Sequence, residues 1–476
     1  MNTLTLAWIG LPFFVGFSIY LIPKLDKYLA IFGAIASAAY AFQLFVMPSA
    51  VTLELLDNFS VTLLVDRLSG YFILTNALVT AAVIIYCWPT DKTAFFYAQI
   101  LMVHGSLNAA FASTDFISLY VGLEVSGIAA FLLIAYPRTD RSIWVALRYL
   151  FISNTAMLFY LVGAVLVYKA SHSFSFAGLG AAPPEAIALI FMGLLVKGGV
   201  FVSGLWLPLT HSESETPVSA LLSGIVVKAG VYPLVRCALM VEEVAPIVQT
   251  FGVGTALLGV FYAILEKDSK RMLAFHTVSQ LGFILAAPSV GGFYALAHGL
   301  VKSSLFLTAG SLPSRNLKEL KQKPIDTKIW IALVIASLSI SGFPLLVGFG
   351  AKVLTVKNLG FWQAIAMNVA AVGTAISFAK FIFLPRGGQT AAKPGFWPAV
   401  LLLLAGLIGA NAFDVQAYTL DNMLKAIAII GIGWSAYFLI FQRTAIKLPR
   451  MLEEFDHLVG FMGLISLLLF WMALPT

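Results

Sequence analysis

Runs of about twenty apolar residues recur along this chain from end to end, and their length leaves few folds open. A helix rises about 1.5 Å per residue, so roughly 20 residues cross the ~30 Å hydrocarbon core of a bilayer. Helices also satisfy their own backbone hydrogen bonds where no water is at hand. Strand-period alternation is missing from these runs, which argues against a transmembrane barrel. At 60% hydrophobic and 11% charged residues, with a mean hydropathy of +0.94, the chain reads as an all-α polytopic membrane protein embedded in a lipid bilayer.

The pattern places sixteen spans, at about 4–23, 28–47, 68–88, 94–112, 115–136, 143–168, 185–207, 217–240, 246–266, 270–288, 291–311, 327–356, 361–383, 396–412, 422–441 and 458–474. Between spans two and three, VTLELLDNFSVTLLVDR alternates Thr and Val and is expected to form a short hairpin outside the bilayer. The first run starts close to Met1 with no basic stretch before it, so it reads as a retained span and not as a cleaved signal. Basic residues fix the orientation, because Lys and Arg concentrate in cytoplasmic loops. Counting loops alternately puts eighteen of them on one side and five on the other, so both termini are expected on the non-cytoplasmic side of an energy-coupling membrane.

Several function classes drop out. There is no GxxxxGK[ST] and no GxGxxG after a strand, so neither ATP hydrolysis nor a dinucleotide is expected. Cys87 and Cys237 stand alone without CxxC or His spacing, which implies no metal, haem or iron–sulfur cofactor. The net charge of +7 comes from loops that meet anionic headgroups, and calls for no nucleic acid. No catalytic site is expected. Any energy the chain uses comes from a gradient or a partner.

With 23 of the 29 basic residues assigned to loops and the span ends beside them, six remain within spans: Arg148, Lys197, Lys228, Lys302, Lys352 and Lys380. Glu124 is the one acid near a span centre. A charge at the bilayer centre costs roughly 3 to 10 kcal/mol depending on method, so such residues usually mark a functional interior. One acid cannot neutralise six bases, and low dielectric favours the neutral form of an unpaired base, which suits groups that take and give protons. Lys197 and Lys228 sit mid-span with apolar residues on both sides, where snorkelling is disfavoured. His298 precedes Lys302 by four residues and shares its helix face. Lys352 follows SGFPLLVGFGAK, whose Gly342, Pro344, Gly348 and Gly350 predict a broken span twelve; Pro208 is expected to break span seven. Lys380, near a span end, is expected to snorkel. Arg148 either pairs with Glu124 or sits in the path. His104 and His276 are either helix-packing residues or relays. The elbow carrying His211, Glu213 and Glu215 reads as a solvated loop, with an intake funnel or weak cation site as the alternatives.

Lysine and break recur five spans apart and in reverse order in spans seven and twelve, as Arg148 and Lys302 recur in spans six and eleven. This predicts two inverted five-helix repeats opening half-channels to opposite sides. The expected organisation is N-terminal helices with the hairpin over 1–93, a first repeat over 94–240, a second over 241–385, and C-terminal helices over 386–476.

The segments LWLPLTH, TPVSALLSGIVVKAGVY, EKDSKRMLAFHTVSQLGFI, AHGLVKSSLFLTAG and SGFPLLVGFGAK together resemble the antiporter-like subunits shared by Mrp-type cation/proton antiporters and respiratory complex I, over about residues 60 to 385. The resemblance implies fourteen core helices, broken helices seven and twelve, and a chain of charged groups along the membrane midplane. By motif, Glu124 and Lys197 stand as the glutamate–lysine pair of spans five and seven, Lys228 as the span-eight relay, His298 with Lys302 as the span-eleven relay, and Lys352 as the terminal lysine. His276 stands where complex I subunits usually have Ser, which favours the Mrp-type branch. Leu209 and Thr210 replace the family's common acid and Ala, and Ser212 to Glu215 replace a more apolar loop. The long lateral helix of the largest complex I subunit is not expected, and the KLPRMLEEFDH linker reads as a short surface helix that docks a partner. The implied function is proton translocation in a Na+/H+ antiporter assembly, with other membrane subunits as partners; the alternatives are a complex I-like NADH or ferredoxin:quinone oxidoreductase subunit and a non-transporting scaffold or inorganic-carbon uptake partner.

Overall fold

The computed structural model describes residues 2–47, 49–56, 61–389, 392–413, 415–442 and 450–474. Helical segments fall at every expected span: Asn2–Leu21, Asp26–Val46, Arg67–Cys87, Ala94–Ala112, Phe116–Ile134, Asp140–Ser171, Pro184–Gly198 continued by Leu207–Glu213, Thr216–Met240, Ala245–Leu265, Ser269–Ala286, Pro288–Ala309, Thr327–Ser341 continued by Val347–Lys357, Phe361–Ile382, Phe396–Gly409, Leu420–Ala436 and Phe455–Ala473. Among the described residues, 13 helices are long and apolar enough to cross a membrane. Ser269–Ala286 falls short of that apolarity because it carries Lys270, Arg271, His276 and Gln280, but it is buried along its whole length and faces no lipid. Spans eight and eleven are likewise enclosed, whereas the last two are largely exposed.

The expected hairpin pairs Val51–Leu56 with Val61–Val65 antiparallel, with Val51 opposite Val65. It lies against the end of span four, where Leu63 bridges Ser113.

Both broken spans break at glycine. The first half of span seven stops at Gly198, and Gly199 takes φ +67°, the left-handed conformation that caps a helix without a Cβ penalty. A 3₁₀ turn over Phe201–Trp206 follows, then the short helix Leu207–Glu213. Pro208 therefore does not break the span as expected. It sits in the first turn of the second half, where its missing N–H leaves no bond unmade. In span twelve Gly342 takes φ +88° after Ser341, and the second half runs Val347–Lys357. Gly348, inside that second half, lets it close on the first: a Cβ there would lie 1.8 Å from the Ser339 carbonyl oxygen.

Span fifteen packs on span thirteen, while the last span packs on the first half of span seven. Lys447 to Pro449 of the KLPRMLEEFDH linker lie outside the described residues. The rest departs from the expected surface helix: Met451–Glu453 is a 3₁₀ turn, and Glu453 faces inward, its Oε1 accepting from Arg271 Nη2 at 2.6 Å.

Candidate functional site

Lys197 occupies the last turn of the first half of span seven, and its ammonium projects between spans five and six. Nζ donates to Ser153 Oγ of span six at 2.7 Å. It also fills the space beside Gly127 of span five, where an added Cβ would lie 2.7 Å from Nζ. Glu124 is one turn before Gly127 on the same face, within coulombic reach of Lys197, and its buried Oε1 has no protein partner. Arg148 does not pair with Glu124. Its Nη2 donates to the Glu453 carbonyl and its guanidinium lies 5.7 Å from the Trp144 ring, which ties span six to the C-terminal segment.

Span eight loosens one turn before its lysine: Leu222–Val226 is a π-helix turn, a feature common at functional sites because it frees carbonyls from the regular ladder. Lys228 Nζ donates to one such carbonyl, that of Gly224. It faces span eleven at Gly299, where a Cβ would lie 3.6 Å from Nζ. His298 and Lys302 flank that glycine on the same helix, and both lie within coulombic reach of Lys228. Lys302 Nζ donates to the Leu273 carbonyl of span ten. Lys228 and Lys302 are fully buried, Lys197 and Lys352 are 5% and 9% exposed, and His298 finds no protein partner at either ring nitrogen.

From Lys302 a polar face of span ten leads outward. His276 is one turn past Leu273, within coulombic reach of both Lys302 and Lys352, with no hydrogen-bond partner and its ring 4.6 Å from Phe378. Gln280, one turn on, accepts from Tyr294 Oη at 2.6 Å. Phe283 completes the face, and Lys352 Nζ stands 5.4 Å from its ring centroid without a hydrogen-bond partner. Lys352, Phe283 and Gly342 line a cavity of about 930 Å³ between spans twelve, thirteen and fifteen.

The elbow differs from the solvated loop expected of it. His211 is fully buried in the helix Leu207–Glu213, its ring 6.2 Å from both Trp206 and Phe306 and next to the Leu207 backbone one turn earlier. Phe306 is one turn past Lys302. Glu213 pairs with Arg141 at 3.1 Å and Arg315 at 3.6 Å, and Glu215 with Lys92 at 2.7 Å. Lys92, Glu213, Glu215, Lys270 and Arg315 border a cavity of about 590 Å³ that opens beside the elbow.

Three other buried polar residues are held by the fold. His104 Nε2 bonds Ser37 Oγ at 2.8 Å and its Nδ1 bonds Thr80 Oγ1 at 3.2 Å, within a network that includes Asn76 and Asn108. Lys380 donates to the carbonyls of Ala263, Ile264 and Glu266 at the end of span nine. Arg236 makes a bidentate pair with Asp66 at 2.5 and 2.7 Å. Sequence reasoning missed Gly127, Ser153, the π turn, and the pairs that Asp66 and Glu453 make. Of these, only the small residues opposite a mid-span lysine leave a readable trace.

A family model described as NADH:quinone oxidoreductase/Mrp antiporter, TM matches residues 113–377. The NADH-quinone oxidoreductase subunit N of Desulforudis audaxviator is 32% identical over 421 residues, covering 78% of this chain and 81% of that one. A Na(+)/H(+) antiporter subunit of Alkalihalophilus pseudofirmus is 26% identical over 476 residues, covering 88% and 96%. A chain in the structure of the membrane-bound sulfane sulfur reductase, an archaeal respiratory membrane complex, superposes with a TM-score of 0.77 at 21% identity, over 91% of this chain and 98% of that one. An integral membrane protein with this span order, these two breaks and this match across its centre, the chain belongs to the antiporter-like transmembrane family shared by NADH:quinone oxidoreductases and Mrp antiporters.

Proposed function

We propose that the chain is the proton-translocating subunit of a multisubunit Na+/H+ antiporter, working beside other membrane subunits, with both termini on the non-cytoplasmic side. Protons enter one half-channel, pass along Glu124, Lys197, Lys228, His298, Lys302 and Lys352, and leave by the other. His276 bridges Lys302 to Lys352, and His211 links the charged elbow cavity to Lys302, which makes the elbow an intake funnel. Arg148 serves the fold. Glu124 acts as a charge switch, holding the proton on Lys197 when close and releasing it when withdrawn.

The observation that carries this reading is the distribution of unmet polar groups. Leaving a buried polar group unpaired costs roughly 1–3 kcal/mol. Among the described residues, Glu124 Oε1, both ring nitrogens of His276 and His298, and Lys352 Nζ are buried without a hydrogen-bond partner, and of the buried groups so left, which include several serines and Arg148 Nε, these belong to a mid-span lysine or stand beside one. Water and a moving proton satisfy such groups; a rigid fold does not. Glu124→Ala and Lys197→Ala are expected to abolish cation-dependent proton transport in vesicles while assembly survives. Wild-type transport in well-assembled mutants would refute the relay.

A second reading keeps the path and attaches it to a quinone oxidoreductase, and the 32% identical relative favours it. Iron–sulfur polypeptides co-purifying with the chain would decide for it. Unchanged transport after Lys352→Ala would instead support a scaffold.

A further inference from the structure

The cavity at Lys352 is graded in polarity along the span axes. Lys357, Asp421, Asn422 and Lys425 cluster at one end, and Phe283, Val372, Ile429 and Ile432 line the deeper part. Lys352 sits between the two regions. It precedes Lys357 by five residues of the same helix, a rise of about 7.5 Å. Its ammonium is thus within a side chain's length of the interface, 9% exposed and without a hydrogen-bond partner. Asp421 already pairs with Lys425 at 2.6 Å, so Lys357 leaves the polar end net positive and Lys352 adds a second uncompensated charge beneath it. At about 930 Å³ the space falls within the range of small-molecule sites, which are mostly apolar with a few fixed polar groups.

We propose that this cleft binds one anionic phospholipid. The phosphate sits among Lys357, Lys425 and Lys352, and an acyl chain runs down between spans twelve, thirteen and fifteen. The headgroup supplies the anion that the Lys352 ammonium lacks, and the chain covers the apolar wall beneath it. The proposal rests on the relay reading only for its consequence: bound lipid sets the charge next to the last lysine of the path, and so tunes proton release.

The test is lipid retention by the full chain purified in its assembly in a nonionic detergent, exchanged against phosphatidylglycerol or phosphatidylcholine and read by native mass spectrometry. The wild type is expected to retain one phosphatidylglycerol in preference to phosphatidylcholine. The double variant Lys357→Gln, Lys425→Gln loses retention by roughly tenfold or more, since each lysine at a lipid surface contributes on the order of 1 kcal/mol. Val369→Trp, which fills the cleft with no change of charge, also displaces the lipid. Lys352→Arg keeps the cation and is expected to retain lipid while transport falls, so binding is read independently of the relay. Equal retention of both lipids, retention unchanged in both the double variant and Val369→Trp, or a partner helix cross-linking to position 425 in place of lipid would overturn the proposal.

Discussion

Replacing Gly127 by Ala is expected to stabilise the protein slightly and nearly silence it. In a helix interior Ala is favoured over Gly by roughly 0.5–1 kcal/mol, and Gly127 lies well inside Phe116–Ile134. The new methyl would meet Lys197 Nζ at 2.7 Å, with Ser153 Oγ next at 3.8 Å. An ammonium at the end of a flexible side chain moves more readily than a packed helix, so the fold absorbs the change and the lysine does not keep its place. Relaxed contacts begin at about 3.5 Å, so Nζ must shift by roughly 0.8 Å or more. That shift stretches or bends its 2.7 Å bond to Ser153 and alters its distance to Glu124. A misplacement of about 1 Å at a reacting group is enough to cost on the order of 10²-fold in rate. The assay pairs collapse of a pH gradient in everted vesicles with thermal stability of the purified assembly. Wild-type transport from a variant whose Tm is unchanged or raised would refute the claim that Lys197 must sit where it does.

Two predictions concern the frame around the path. Asp66→Asn breaks a bidentate pair with buried Arg236 and is expected to cost up to roughly 3 kcal/mol of stability. Burial alone would raise the Asp66 carboxyl, but Arg236 and the Ser69 N–H hold it below the usual carboxylate range. With the folded value depressed, its contribution is present above the unfolded pKa of about 3.9 and is lost as pH falls through the folded value. Thermal unfolding below about pH 4 should therefore fall more steeply in the wild type than in Asp66→Asn, and parallel curves would count against the pair. Gly348→Ala places a Cβ 1.8 Å from the Ser339 carbonyl oxygen, a backbone atom that cannot step aside. It is expected to cost roughly 1–3 kcal/mol by forcing the halves of span twelve apart, whereas Gly460→Ala, inside a helix with open space at its Cβ, serves as a control expected to gain roughly 0.5–1 kcal/mol. Equal melting temperatures for the two would show that the halves are not in close contact.

Most of the span order is legible because hydropathy acts over twenty residues at a time and tolerates local exceptions. Ser269–Ala286 is readable despite its polar residues, since its flanks and length are those of a span. What the sequence obscures is local chemistry decided by neighbours distant in the chain. Pro208 reads as the break in span seven because proline ends helices, but Gly198 and Gly199, directly after Lys197, supply a cheaper stop, and the proline only opens the next turn. Glu213 and Glu215 read as solvated because their own segment is polar; Arg141, Arg315 and Lys92, which come from other segments, hold them. Glu453 reads as a surface acid for the same reason, and Arg271, nearly two hundred residues earlier, turns it inward.

The same physics sorts the buried polar residues that sequence leaves undecided. Three buried polar residues outside the proposed path are saturated: His104 uses both ring nitrogens, Lys380 reaches three carbonyls at a helix end, and Arg236 has a carboxylate, a serine and a tyrosine. His276, which sequence groups with His104 as either packing or relay, differs from it: its ring packs on Phe378, lysines lie within coulombic reach, and neither nitrogen is bonded among the described residues. Arg148 is intermediate, its Nη2 held by the Glu453 carbonyl while its buried Nε has no partner among the described residues. A buried histidine left with two unmet nitrogens is destabilising unless something mobile meets them. His276 and His298 are left so among the described residues, each beside a buried lysine, which is the feature that the proposed proton path would explain and a purely structural role would not.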